Sequence, residues 1–137
     1  MTTLKFDQGI SYVGPRPKLL VRIAAGESGP WRQHEAILDT GANECAFGRQ
    51  LGQSLGLTLE DPAPDDAATG GGLIHGWRRQ VFVEIVEINL RLRPFVFFAE
   101  GRREPPLIGT TGVMDHVVIG LRHGANRLYL AVDPAPR

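Results

Sequence analysis

A carboxylate that ends an apolar run and is followed by a hydroxyl and a glycine is placed to handle protons. Here that carboxylate is Asp39, in Ala36-Ile37-Leu38-Asp39-Thr40-Gly41-Ala42. The three apolar residues read as a buried strand, and Asp-Thr-Gly as a tight turn at its end. A carboxylate so placed is drawn out of bulk water, and Gly41 lets another backbone or a ligand come close. An ordinary strand-ending turn uses the same residue types. The heptapeptide alone leaves both readings open.

Other residues offer weaker chemistry. Cys45 with His34, His75 or His116 would suggest a cysteine hydrolase, but no spacing links them, and a lone cysteine most often packs as a small hydrophobe. His34-Glu35, His75 and His116 lack a metal-ligand spacing, so surface histidines and no metal or cofactor are expected. Thr69-Gly70-Gly71-Gly72-Leu73-Ile74-His75-Gly76-Trp77 is glycine-rich like a phosphate loop, yet neither Gly-Lys-[Ser/Thr] nor a G-x-G-x-x-G register leads into a helix. A mobile hairpin tip is the better account, with Trp77 available for packing or substrate contact.

The elements that must position Asp39 follow from periodicity. Lys18–Ala24 predicts a strand, and a second from about Trp31 to Leu38 pairs with it as a hairpin whose second arm delivers Asp39. Arg49 to Leu57 predicts a short helix ended by Gly56. Glu60 to Ala68 reads as a polar loop. Val81–Val86 and Leu92–Ala99 predict two long apolar strands turning near Glu87–Asn89, with Pro94 marking an edge or a bulge. Leu107-Ile108-Gly109 leads to a possible helical turn and a β-branched strand, and Arg127–Val132 is the final strand. Short apolar runs separated by turn signals make the chain all-β with one or two short helices.

The 137 residues suit a single domain, 1–137. Lys+Arg and Asp+Glu both total 15, for a net charge of zero, which argues against a nucleic-acid or anionic-membrane binder. Arg78-Arg79 and Arg102-Arg103 are expected on solvated surface. One cysteine makes no internal disulfide, no apolar run nears the roughly 20 residues of a membrane span, and the N-terminus has no apolar signal core. A soluble, cytoplasmic protein is the expectation.

The two halves echo each other. Ala36–Gly41 and Pro106–Thr111 both set apolar residues before a glycine-bearing turn and a helix candidate, with the glycine-rich hairpin between. Taken in order over roughly residues 17 to 132, this constellation resembles the retropepsin-like aspartic proteases. The resemblance implies a closed-barrel-like acid-protease fold active as a dimer, and an aspartic endopeptidase in which water is activated between two aspartates. It makes Asp39 the acid/base, Thr40 the residue that locks two active-site loops together, and Gly41 the point of close approach. It lays peptide substrate along Ala42, Asn43, Gly70, Gly71, Gly72, Ile74 and Ile108. Where retroviral members pair an acid with an arginine, Asn43 and Thr110 stand here, so neutral hydrogen bonds replace an ion pair and a bacterial-type branch fits better. Asp7-Gln8-Gly9 lacks the apolar strand and the hydroxyl, and Asp115 has the wrong spacing. The second aspartate therefore implies a second copy of the chain. The alternative is a binding or dimerisation module that keeps the fold with little or no proteolysis.

Overall fold

The structure, a computed structural model, describes residue 3 and residues 5–69, 71–101 and 105–134. Its centre is the antiparallel hairpin of β2 (Lys18–Ala24) and β3 (Arg32–Leu38), in register from Lys18 opposite Ile37 to Ile23 opposite Arg32. Alternation along β2 sends Leu19, Val21 and Ile23 into the core while Arg22 points out, as a half-buried strand of period two requires. On its far edge β2 pairs with β7 (Phe82–Ile85), and β7 with β8 (Leu90–Leu92).

The other edge of β3 carries the topology that matters. A two-residue strand, β10 (Leu107–Ile108), lies parallel to β3 and antiparallel to β4 (Cys45–Gly48). Two strands consecutive in the chain are thus separated by one that arrives some 60 residues later. Beyond β4 come β9 (Phe95–Ala99), β6 (Gly72–Gln80) and β5 (Asp65–Thr69), completing a nine-stranded sheet. A separate three-stranded sheet joins β1 (Gln8–Ser11), β12 (Arg127–Val132) and β11 (Val117–Arg122). One apolar cluster packs the two sheets together: Val21, Phe47, Trp77 and Phe98 lie in it with Leu128 and Leu130 of the smaller sheet.

The all-β expectation holds, with one short helix, α1 (Arg49–Ser54), and 3₁₀ turns at Val86–Ile88, Met114–His116 and His123–Ala125. The barrel does not close. Among the described residues the sheet ends at β5 and at β8, which do not pair. Both are short and carry charge, Asp65 and Asp66 on one and Arg91 on the other, as edges that resist further pairing do. The expected strand Leu92–Ala99 is broken at Arg93-Pro94: the chain leaves one end of the sheet as β8 and re-enters the other half as β9. Proline has no N–H for a ladder, and it sits in the break between the two strands. The polar loop expected over Glu60–Ala68 is a loop only in its first half; Asp65 onward is β5, drawn into the sheet by β6.

The helix stops where expected. Leu55 caps it, Gly56 adopts φ +90°, the Gly56 N–H bonds to Gln53 O at 3.0 Å and the Leu57 N–H to Gly52 O at 3.2 Å. That is the paired bonding of a left-handed helix end, for which glycine has no steric penalty.

Candidate active site

Backbone bonds to two other segments aim Asp39. The Ile37 N–H donates to Pro106 O at 2.8 Å, the Leu38 N–H to Pro17 O at 2.9 Å, and the Asp39 N–H to Ile108 O at 3.0 Å. The turn then closes on itself: the Gly41 N–H donates to Asp39 Oδ1 at 2.9 Å and the Ala42 N–H to Asp39 O at 3.2 Å. A carboxylate accepting from the backbone two residues on holds one oxygen fixed and leaves the other for chemistry. Asp39 is half-buried and Thr40 and Gly41 are exposed, so the turn projects from the sheet.

Gly109 makes the crossing possible. A Cβ there would sit 2.3 Å from Glu44 O and 2.9 Å from Ala42 O. With hydrogen in that place, the Thr110 N–H reaches Ala42 O and the Thr111 N–H reaches Asn43 O, both at 2.9 Å. The Thr110 hydroxyl also lies 3.3 Å from Ala42 O and 3.4 Å from Asn43 O. Neutral hydrogen bonds do tie Thr110 to the Asn43 segment, through backbone carbonyls rather than the Asn43 side chain.

Two clefts flank the Asp39 turn. One, of about 360 Å³, has Pro15, Arg16, Pro17 and Leu107 beside Asp39 itself. The other, of about 250 Å³, lies between Gly41, Ala42 and Asn43 on the loop and Ala67, Thr69 and Ile74 on the β5–β6 hairpin. Ala42, Asn43 and Ile74 therefore line one cleft. Gly71 and Gly72 are exposed at the hairpin turn, beyond the cleft wall, and Gly70 lies outside the described residues. Ile108 is fully buried and reaches the site only through its carbonyl; its neighbour Leu107 lines both clefts. Trp77 is core, with its Nε1–H bonded to Glu60 O at 2.9 Å and the Arg49 guanidinium 4.6 Å from the ring centroid. It lines neither of the two clefts beside the Asp39 turn.

Arg78 is partly exposed, as a surface residue, and it is also paired. It donates from Nε and Nη2 to both carboxylate oxygens of Glu44, at 2.9 and 3.0 Å, within the cleft wall. The paired carboxylate raises its pKa above the usual arginine value. Strand parity from Ile74 was the available signal, since Ile74, Gly76 and Arg78 share one face of β6. Glu44 and Phe97 also line the cleft without any local mark in the sequence, and Leu107 lines it from the apolar-apolar-Gly segment, which the sequence does mark.

An apolar strand that delivers Asp-Thr-Gly, crossed by a late apolar-apolar-Gly segment and faced by a hairpin, is the pattern of one family. Residues 21–121 match the family model described as aspartyl protease. The chain belongs to the aspartyl protease family. Its fold is similar to "a retropepsin-like aspartic protease from Rickettsia conorii", with TM-score 0.59 and 14% identity over 82% of this chain and 88% of that one. It is also similar to the "retroviral protease-like domain of Ddi1 from Leishmania major", with TM-score 0.50 and 18% identity over 86% of this chain and 90% of that one. No curated protein matches the sequence. These likenesses establish a retropepsin-like fold, and the family match supports a protease-type function.

The remaining chemistry of this family member is quiet. Cys45 is fully buried, and burial pushes its thiol up to about 11, so it is no nucleophile. His75 Nδ1 pairs with Asp66 on the hairpin, and His116 Nε2 lies 3.6 Å from Asp115. Among the described residues no group of three His, Cys, Asp or Glu side chains converges as a metal site.

Proposed function

We propose that the chain is an aspartic endopeptidase whose active site is completed by a second copy, each chain contributing Asp39. The observation that carries this reading is Asp39 itself: a half-buried carboxylate, oriented by the Gly41 N–H, on a projecting turn between two clefts, with no second carboxylate among the described residues lining the cleft that Asp39 itself lines. Two carboxylates brought together by a two-fold axis hold one proton between them, because both cannot ionise cheaply at that distance. The ionised Asp39 takes a proton from water as the water oxygen attacks the scissile carbonyl carbon. The protonated Asp39 gives its proton to the carbonyl oxygen. Collapse of the tetrahedral diol, with a proton passed to the amide nitrogen, releases an amine and a carboxylic acid.

Supporting features lie around this centre. Thr40 is exposed at the apex, where a hydroxyl can bond to the other chain's loop. The clefts suit an extended polypeptide laid beside the Gly41–Asn43 backbone. No cofactor is needed for the chemistry, and the site of action is taken as the cytoplasm. The neutral link through Thr110 favours, as a second reading, a module that dimerises and binds without cleaving.

The test sets Asp39→Asn beside wild type on a denatured protein and a peptide library at acidic and neutral pH, with light scattering under the same conditions. Wild-type cleavage lost in Asp39→Asn, with a dimer in solution, is the expected result. Cleavage that survives the substitution would sink the mechanism. A strictly monomeric active enzyme would sink the shared site, and a dimer that cleaves nothing selects the binding module.

A further inference from the structure

Among the described residues, the hairpin formed by β5 and β6 is held to the catalytic loop by one side-chain connection of defined direction. Arg78 on β6 meets Glu44 in a two-pronged pair, and a forked guanidinium on a carboxylate fixes orientation as well as distance. The same guanidinium donates from Nη2 to Asp66 O at 2.9 Å and lies 5.2 Å from the Phe97 ring centroid. The Arg78 N–H donates to Asp65 Oδ2 at 2.8 Å. At the other end, the Glu44 backbone is pressed against Gly109, so the main chain that carries this carboxylate has little room to shift. With side chains 38% and 31% exposed, the pair contributes little to global stability. Its consequence is positional.

We propose that the Glu44–Arg78 pair latches the hairpin over the cleft and forms the end wall of its side-chain subsite. This makes Arg78 a positioning and specificity-determining residue; the assignment rests on the peptidase reading above. The cleft holds about 250 Å³, below the roughly 300–1,000 Å³ of sites that enclose a drug-sized ligand, and so takes one substrate side chain. Its floor is apolar, from Ala46, Ile74, Phe97 and Leu107. Of the charged residues in its wall, Glu44 and Arg78 satisfy each other, and Asp66 pairs with His75. An uncharged, apolar side chain fits that combination. A charged one finds its counter-charge already taken.

The experiment compares wild type, Arg78→Leu, Glu44→Gln and the charge-exchanged double variant (Glu44→Arg with Arg78→Glu). Peptides varied only at the residues flanking the cleaved bond report KM and kcat, and amide exchange reports the hairpin. Each single variant should raise KM for peptides with an apolar flanking side chain about tenfold with kcat within about threefold, and lose the apolar-over-charged preference. Hairpin amides should exchange about tenfold faster in the single variants and be protected again in the double variant, with KM recovering. Single variants that keep wild-type KM, preference and exchange overturn the proposal, as does a double variant that recovers nothing. If wild type cleaves no peptide, or Asp39→Asn cleaves as well as wild type, the peptidase reading has failed by itself. The exchange measurement then decides the latch alone, and unchanged hairpin exchange sinks it.

Discussion

Gly109 and Glu44 pack backbone against backbone, so closely that a Cβ on Gly109 would stand 2.3 Å from the Glu44 carbonyl oxygen and 2.4 Å from its carbon. No rotamer change can relieve that contact, because the obstructing atoms are main chain and carry the loop that follows Asp39. Gly109→Ala must therefore displace either β10 or the loop. We expect a stability loss of about 2–4 kcal/mol, in the range of overpacked cores with backbone shifts. Activity per folded molecule should fall as well, since the Asp39 N–H bonds to Ile108 O, one residue before the substitution. Urea melts beside turnover on the folded fraction check this; a wild-type midpoint in Gly109→Ala would show that the close packing is absent in solution.

Thr40 separates a shared active site from a self-contained one. It is exposed at the loop apex, so Thr40→Val should change the stability of the chain by no more than about 0.5 kcal/mol. If two Asp39 loops meet there, losing the hydroxyl weakens their union, and specific activity should need about tenfold more protein to reach half its maximum, the equivalent of ~1.4 kcal/mol. Thr40→Ser should restore most of it. Specific activity measured against protein concentration decides the matter, and identical curves for wild type and Thr40→Val would rule out the loop-to-loop contact.

The Asp39 strand and α1 were legible in the sequence because their signals are local. An unbroken Ala-Ile-Leu run meets Asp-Thr-Gly in seven residues, and Gly56 marks the helix end with the φ it alone takes cheaply. What was illegible is tertiary. Asp65-Asp66-Ala67-Ala68-Thr69 has no strand propensity and is a strand only because β6 supplies its ladder. β1 is four residues whose partner begins over a hundred positions away, with Gln8 opposite Leu130. Barrel closure was a property of the resemblance, and the short charged edges β5 and β8 do not share it. Arg78 reads as a surface charge until Glu44, 34 residues earlier, is seen beside it. Asp39 could be found by pattern, whereas the walls of its cleft come from five separated segments.

Gly52 sets helix propensity against packing, and the magnitudes decide between them. Within α1 an alanine would be preferred over glycine by about 1 kcal/mol. Yet a Cβ on Gly52 would come within 2.8 Å of both Leu59 Cδ1 and Phe98 Cδ1. Phe98 is fully buried and already sits edge-on to Phe47, with ring centroids 5.8 Å apart, so it has little room to retreat. Overpacking of this kind costs about 1–3 kcal/mol. The net for Gly52→Ala is destabilisation of about 1 kcal/mol, read from denaturant midpoints. An alanine variant more stable than wild type would mean that Leu59 and Phe98 yield freely and that α1 is held loosely against the sheet.

Cys45 gives the fold an alkaline limit. Burial is the main cause that lifts its thiol from 9.0 to about 11; the Glu44 and Asp115 charges add to it, and a backbone hydrogen bond from Gly109 opposes it. The protonated thiol is the neutral form, so in alkali the unfolded chain releases the proton first and the folded chain holds it. The contribution to stability is therefore complete below pH 9 and is lost as the pH climbs from 9 toward 11, by roughly 2–3 kcal/mol over the whole range. Cys45→Ala begins less stable because a methyl replaces a close-packed thiol, but it lacks this titration. Urea melts at about pH 8 and about pH 10.5 should show wild type losing more stability than Cys45→Ala over that interval, other titrating groups being common to both. In the folded protein at pH 8, a thiol-reactive disulfide should label Cys45 only as fast as the chain opens. Parallel pH slopes for the two proteins, or immediate labelling, would place Cys45 in contact with water and contradict its burial behind the catalytic loop.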